Sequence, residues 1–174
     1  MNVLRFLHSD CVKLELETVP SEPSVPIEDE SAGQGASRLR NDKERALEEF
    51  SELLDRSGAV VNRAKLLRDL INRERKATTA IAPGIAVPHV RTLQVRRFVM
   101  GLARASGDGL PFASLDGEPT RLFFLLASPP YDDRLYLQVY REFAQIVQRE
   151  DIIERILAAR EVQDVFNALR DVFH

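Results

Sequence analysis

A chain of 174 residues, 44% hydrophobic and 29% charged, has the material for one domain with a sizeable core. Its formal net charge of −3 excludes the strongly basic balance of a nucleic-acid-binding surface. A single cysteine, Cys11, excludes an intramolecular disulfide and points to a reducing, cytoplasmic setting, and no apolar run approaches the roughly 20 residues of a membrane helix.

The opening MNVLRFLHSD lacks the apolar centre of a signal peptide; Val3, Leu4 and Leu7 share one face of a short helix. The stretch CVKLELE then alternates. Val12, Leu14 and Leu16 point one way and Lys13, Glu15 and Glu17 the other, the pattern of a half-buried strand. Residues 18–40 are rich in Pro, Ser, Gly and Glu without periodicity, and read as a flexible insertion within the domain.

Asn41 is placed to cap a helix with an apolar stripe of Ala46, Leu47, Phe50, Leu53 and Leu54, stopping at Gly58. Asn62 is placed to cap a second, carrying Leu66, Leu67, Leu70 and Ile71 and ending near 73–76. Short extended runs follow at 78–81 and 85–87, with better strands at 97–105 and 121–127. GDGLPFASLDGEP between them is turn-rich, and Asp116-Gly117 reads as a turn. Asp132 or Asp133 starts a long helix through Gln148, with Leu135, Val139, Phe143 and Ile146 at helical spacing; shorter helices follow at 151–159 and 161–173. Strands mixed with helices on this scale predict an α/β (α+β) sandwich, a mixed sheet with helices packed on it. The strands are too few and too uneven for a barrel.

The candidate chemistry sits in APGIAVPHVR, residues 82–91. Pro88 fixes φ and has no N–H, so it is expected to end sheet pairing and hold His89 just past a strand end. Imidazole near neutral pH offers a nitrogen nucleophile. His8 and His174 lie at opposite ends of the chain, no spacing near His89 fits a metal site, and no nucleophile-elbow pattern appears. Metal-free histidine chemistry points to phosphoryl transfer, which wants guanidinium groups; Arg73, Arg75 and Arg91 are near in sequence. Each has a plainer reading. A Pro-His dipeptide alone is usually surface, Arg73 can serve a helix C-terminus, and Arg91 can be a solvated loop residue. Thr78 and Thr79 are ordinary strand residues whose hydroxyls could fix the His89 tautomer. Cys11, among apolar neighbours, reads as inert.

The run RERKATTAIAPGIAVPH, residues 73–89, resembles the fructose/mannitol/nitrogen-regulatory type of enzyme IIA of the bacterial phosphoenolpyruvate-dependent phosphotransferase system. That family shows an Arg-Glu, a Ser/Thr-Thr and a Gly-Ile-Ala-(Ile/Val)-Pro-His ending in the phosphorylated histidine; here these are Arg73-Glu74, Thr78-Thr79 and 84–89. LPFASLDGEPTRLFFLLASP, residues 110–129, is similar to the family segment leading into a central strand. The resemblance implies the mannitol-type enzyme IIA fold for 1–174 as one domain and phosphate acceptance on His89 from an HPr-like phosphocarrier. It implies transfer to a IIB component, or a regulatory state read by a target protein. It implies no cofactor and no metal. Arg73 would stabilise the phosphoryl group, with Thr79, Arg91 and Tyr136 as binding residues.

The pattern departs in three places. Tyr136 stands where the family commonly has a second histidine, Val90 where glycine is frequent, and Ala80 and Ala82 in place of glycines. Tyr136 shares a helical face with Tyr140, Phe143 and Val147, so core packing is its first expectation, with its hydroxyl reaching a polar rim. These departures keep a second function in view: a regulatory protein-binding module of the same fold that has lost the relay. A small-molecule-binding α/β domain unrelated to phosphate is the third.

Overall fold

The computed structural model describes residues 2–173. A 3-10 turn at Val3–Phe6 leads into β1 (Leu7–Lys13). Two helices follow, α1 (Ala32–Asp55) and α2 (Arg63–Lys76). Next come β2 (Ala80–Ala82), β3 (Ile85–Ala86), β4 (His89–Arg91), β5 (Val99–Arg104) and β6 (Leu122–Ser128). The chain ends in α3 (Asp133–Val147), α4 (Glu150–Leu157) and α5 (Val162–Arg170).

The strands form one mixed sheet in the order β1-β5-β6-β3-β2, with β4 also paired to β6. β5 runs antiparallel to β6, while β3 and β4 run parallel to it. All of β6 is buried, because both of its faces are covered. Phe123, Leu125 and Ala127 pack with Leu47, Phe50, Leu54, Leu66 and Leu70 of α1 and α2. Leu122, Phe124 and Leu126 pack with Val139, Phe143, Ile152 and Val165 of α3–α5. The period-2 alternation of a strand thus feeds two cores, and the sandwich read from the sequence is the observed architecture.

Two boundaries differ from the sequence reading. The first strand lies at 7–13, not 11–17. An irregularity in its register between Leu7 and Val12 buries Cys11 and Val12 side by side, each in a different core. Leu16 remains buried but is tied by its N–H to the Arg104 carbonyl past the strand end. Burial pushes the Cys11 thiol up to about 11, so thiolate is scarce at neutral pH.

The first helix starts ten residues earlier than Asn41, with Ser31 as its cap. Ser31 and Gln34 form a capping box, and Arg38 pairs with Glu30 through both carboxylate oxygens. The expected insertion over 18–40 therefore contracts to 18–31. Its start is fastened to α1: Glu49 accepts from the N–H groups of Glu17 and Thr18, and Asp42 from that of Ser21.

Candidate functional site

β2 and β3 form a tight hairpin through Pro83-Gly84. Gly84 has φ +71°, the left-handed conformation that the third residue of such a turn requires. Its carbonyl accepts from the N–H groups of Arg121 and Leu122, which sets β3 on β6. Ile85 then pairs with Leu122, Ala86 with Phe123, His89 with Leu126 and Arg91 with Ser128. The offset never changes, so Pro88 does not end the sheet. The proline interrupts an otherwise continuous pairing, with its carbonyl still accepting from Leu126 N–H, and His89 opens the second half of the strand. His89 therefore does not lie past a strand end, as Pro88 leads one to expect, but is paired within the sheet. A residue's N–H and C=O point to the same side of a strand, so the missing Pro88 N–H would face β6, and its loss removes one ladder bond where β3 gives way to β4.

Alternation carries Ile85, Val87, His89 and Arg91 to the α3 face of the sheet. There the His89 ring meets Tyr140 edge-on, with centroids 5.2 Å apart. His89 Nδ1 lies 2.7 Å from the Val87 carbonyl oxygen. A carbonyl only accepts, so in the neutral ring the proton sits on Nδ1 and the lone pair on Nε2. The His89 pKa is held below its ordinary 6.5, first by burial and further by the Arg73 charge, against opposing contributions from Val87 and Glu74. A histidine that resists protonation when folded stabilises the protein above pH 6.5 and loses that contribution as pH falls below it. NMR titration of the His89 ring should give a midpoint under 6.5; a midpoint at or above it contradicts this environment.

His89 lines a cleft of about 530 Å³ with Asp69, Asn72, Arg73, Lys76, Arg91 and Tyr136 among its walls. Arg73 comes from the last turn of α2, where its Nη1 donates to the Ala77 carbonyl at 3.0 Å. The helix-end role and the place beside His89 are thus both occupied by one side chain. Arg91 is on β4 rather than in a loop. It donates to the Pro130 carbonyl at 2.8 Å, pairs with Asp133, and lays its guanidinium 4.7 Å from the Tyr136 ring centre. Tyr136 is half-buried and faces the cleft, so it is a wall of the site more than part of the core. Val90 is buried in regular strand pairing with Ala127, a conformation that needs no glycine.

Thr79 does not set the His89 tautomer; the Val87 carbonyl does. Thr79 instead donates its N–H and hydroxyl to the two Glu74 oxygens, both at 2.8 Å, and accepts from Val87 N–H. Glu74 in turn pairs with Lys43 at 2.9 Å, with side chains only 3% and 16% exposed. The continuous chain Lys43–Glu74–Thr79–Val87 therefore braces His89 from behind. Thr78 turns away, donating to the Phe112 carbonyl, and Arg75 pairs with Glu44 on the far side of α2. Sequence reading gave no site role to Glu74, Lys43, Asp133 or Tyr140. For Glu74 a signal existed, a carboxylate five residues before a threonine at a helix-to-strand junction.

The family model described as "Phosphoenolpyruvate-dependent sugar phosphotransferase system, EIIA 2" matches residues 37–172, which contain this whole site. The chain belongs to that family. The fructose-specific EIIA component of Haloferax volcanii is 32% identical over 75% of this chain and 84% of its own. The nitrogen regulatory protein of Bradyrhizobium diazoefficiens is 28% identical over 74% and 83%. Against the fructose-specific EIIABC component of Bacillus subtilis the chain is 29% identical over 74% of its length but spans only 20% of that protein. Nitrogen regulatory protein IIA-Ntr from Neisseria meningitidis shares the fold, with a TM-score of 0.75 at 24% identity over 95% of this chain and 97% of that one. The family resemblance drawn from residues 73–89 is therefore borne out, and so is the fold it implied. Among the described residues no helix is long and apolar enough to cross a membrane.

Proposed function

We propose that His89 is a phosphohistidine carrier. It takes its phosphoryl group from an HPr-like phosphocarrier protein and passes it to a IIB partner, or holds it as a regulatory state. The observation that carries this reading is the fixed tautomer: Nδ1–H is committed to the Val87 carbonyl, so Nε2 is the nucleophile, in a cleft with cations on its wall. The lowered pKa keeps that lone pair available below neutrality.

In the transfer, the donor's phosphorus–nitrogen bond breaks as the Nε2 lone pair forms a new one. The Nδ1 proton stays in its bond to Val87, where it stabilises the charge that develops on the ring. Arg73, already within electrostatic range of His89, neutralises the equatorial oxygens. Lys76 adds a cation on the same wall. Arg91 joins them by leaving Asp133, and the Tyr136 hydroxyl is a donor on the rim in place of a second imidazole. Thr79 acts at one remove, through Val87. Leu93, Tyr131 and Leu137 stand exposed close to the cleft in sequence and supply an apolar rim for a protein partner. The B. subtilis relative, named as one EIIABC component, supports a IIB partner.

One observation favours the regulatory module without a relay: Arg73 and Arg91 are both already engaged by groups of the protein itself. Incubation with phosphoenolpyruvate, enzyme I and HPr separates the two. The carrier reading expects stoichiometric acid-labile phosphate on the wild-type chain and none on His89→Ala. An unlabelled wild-type chain, or equal labelling of the variant, defeats it.

A further inference from the structure

One buried donor beside the nucleophile lacks a well-formed hydrogen bond among the described residues. The Tyr140 hydroxyl is buried and makes no hydrogen bond of normal geometry among the described residues; the neighbouring Tyr136 hydroxyl bears on it without forming one. A phenol sealed from water without such a bond is a cost that phenylalanine would avoid, and Phe143 on the same helix shows that an apolar ring suits this layer. Burial first, then the neighbouring Tyr136 hydroxyl, push the Tyr140 pKa far up, so the group is a neutral O–H donor throughout the working pH range.

Its surroundings place the hydroxyl. The Tyr140 ring packs 4.7 Å from that of Tyr136 and edge-on to His89. Arg73 bears on the Tyr140 hydroxyl as it does on the His89 ring. The donor therefore lies beside the His89 ring and next to Tyr136 and Arg73, the two side chains that line the cleft with His89.

We propose that Tyr140 is a catalytic residue whose hydroxyl donates to a phosphoryl oxygen once His89 is phosphorylated, making the well-formed bond it lacks in the resting protein. The proposal rests on His89 being the acceptor. No proton is transferred: Tyr140 keeps its own, and His89 keeps Nδ1–H. The bond forms only in the phosphorylated state, so it shifts the transfer equilibrium toward His89. A hydrogen bond to a charged group of this kind is worth about tenfold in that equilibrium.

The test compares wild type with Tyr140→Phe, phosphorylated both by phospho-HPr and by phosphoramidate, from which ammonia leaves as the new bond to Nε2 forms. The variant should lose about tenfold in the equilibrium constant against phospho-HPr. Its phosphohistidine ³¹P resonance should move, and its unphosphorylated melting temperature should stay level or rise by a few degrees. In wild-type protein the Tyr140 ¹³Cζ resonance should shift on phosphorylation, a readout independent of how the variant folds. An unchanged equilibrium, ³¹P shift and ¹³Cζ shift on a wild-type chain that does take phosphate overturns the role of Tyr140 alone. A wild-type chain that takes phosphate from neither donor overturns this and the acceptor reading together.

Discussion

Replacing Arg73 with alanine is expected to slow phosphoryl transfer to His89 by about 10²–10³-fold, the usual effect of deleting one preorganised charge at a developing oxyanion. The guanidinium is positioned in the resting state by its bond to the Ala77 carbonyl at 3.0 Å, so little reorganisation is needed when phosphate arrives. That bond is partly exposed and its loss alone should cost no more than about 1 kcal/mol of stability. The variant should therefore remain folded while losing transfer. The same substitution removes a charge that lowers the His89 pKa, so the ring's titration midpoint should rise. Arg73→Lys should recover only part of the rate, because a point charge cannot replace the planar fork. Stopped mixing with phospho-HPr and quantification of phosphohistidine measures these rates; a variant within threefold of wild type would remove Arg73 from the chemistry.

Glu74→Ala is the substitution expected to harm stability most among residues around the site, by about 3–5 kcal/mol. It strips the partner from Lys43, whose side chain is only 16% exposed, and leaves the Thr79 N–H and hydroxyl unsatisfied. Glu74→Gln should cost less, since an amide oxygen still accepts from Thr79, although the Lys43 charge stays uncompensated. Both should loosen the Thr79 bond to Val87 and so the carbonyl that orients His89. Urea unfolding gives the stabilities. A loss under about 1 kcal/mol for the alanine variant would mean that the ion pair does not hold the brace together.

The sequence was most informative where local chemistry dictates local structure. Asn62 caps α2 and Asp132 caps α3 through side-chain bonds to Lys65 and Leu135 N–H, as their place before apolar stripes suggests. The continuous apolar run 122–127 became the central strand, because a strand covered on both faces has no polar side to show. The start of α1 was misplaced because Pro, Ser and Gly dominate 18–35 by composition, whereas the capping box in Ser31-Ala32-Gly33-Gln34 is a two-residue signal within that background. The first strand was shifted because alternation assumes regular pairing, and its register breaks between Leu7 and Val12.

Within the site, His89, Arg73, Arg91 and Tyr136 do converge on one cleft. The brace behind His89 was not legible. It depends on Lys43 and Glu74 meeting across α1 and α2, a contact between residues 31 positions apart that no local pattern encodes. Arg91's pairing with Asp133 has the same origin, since β4 and α3 meet only when the sheet forms. The Thr79 hydroxyl, expected to fix the His89 tautomer, is instead buried and turned toward Glu74 at the end of α2.

Phosphate is expected on Nε2 of His89, with Nδ1 still protonated against the Val87 carbonyl. Heteronuclear ¹⁵N–³¹P NMR on the histidine-labelled, phosphorylated chain reads this directly. Coupling of phosphorus to Nε2, with a retained Nδ1–H resonance, is the expected result; phosphorus on Nδ1, or on any residue other than His89, would contradict it.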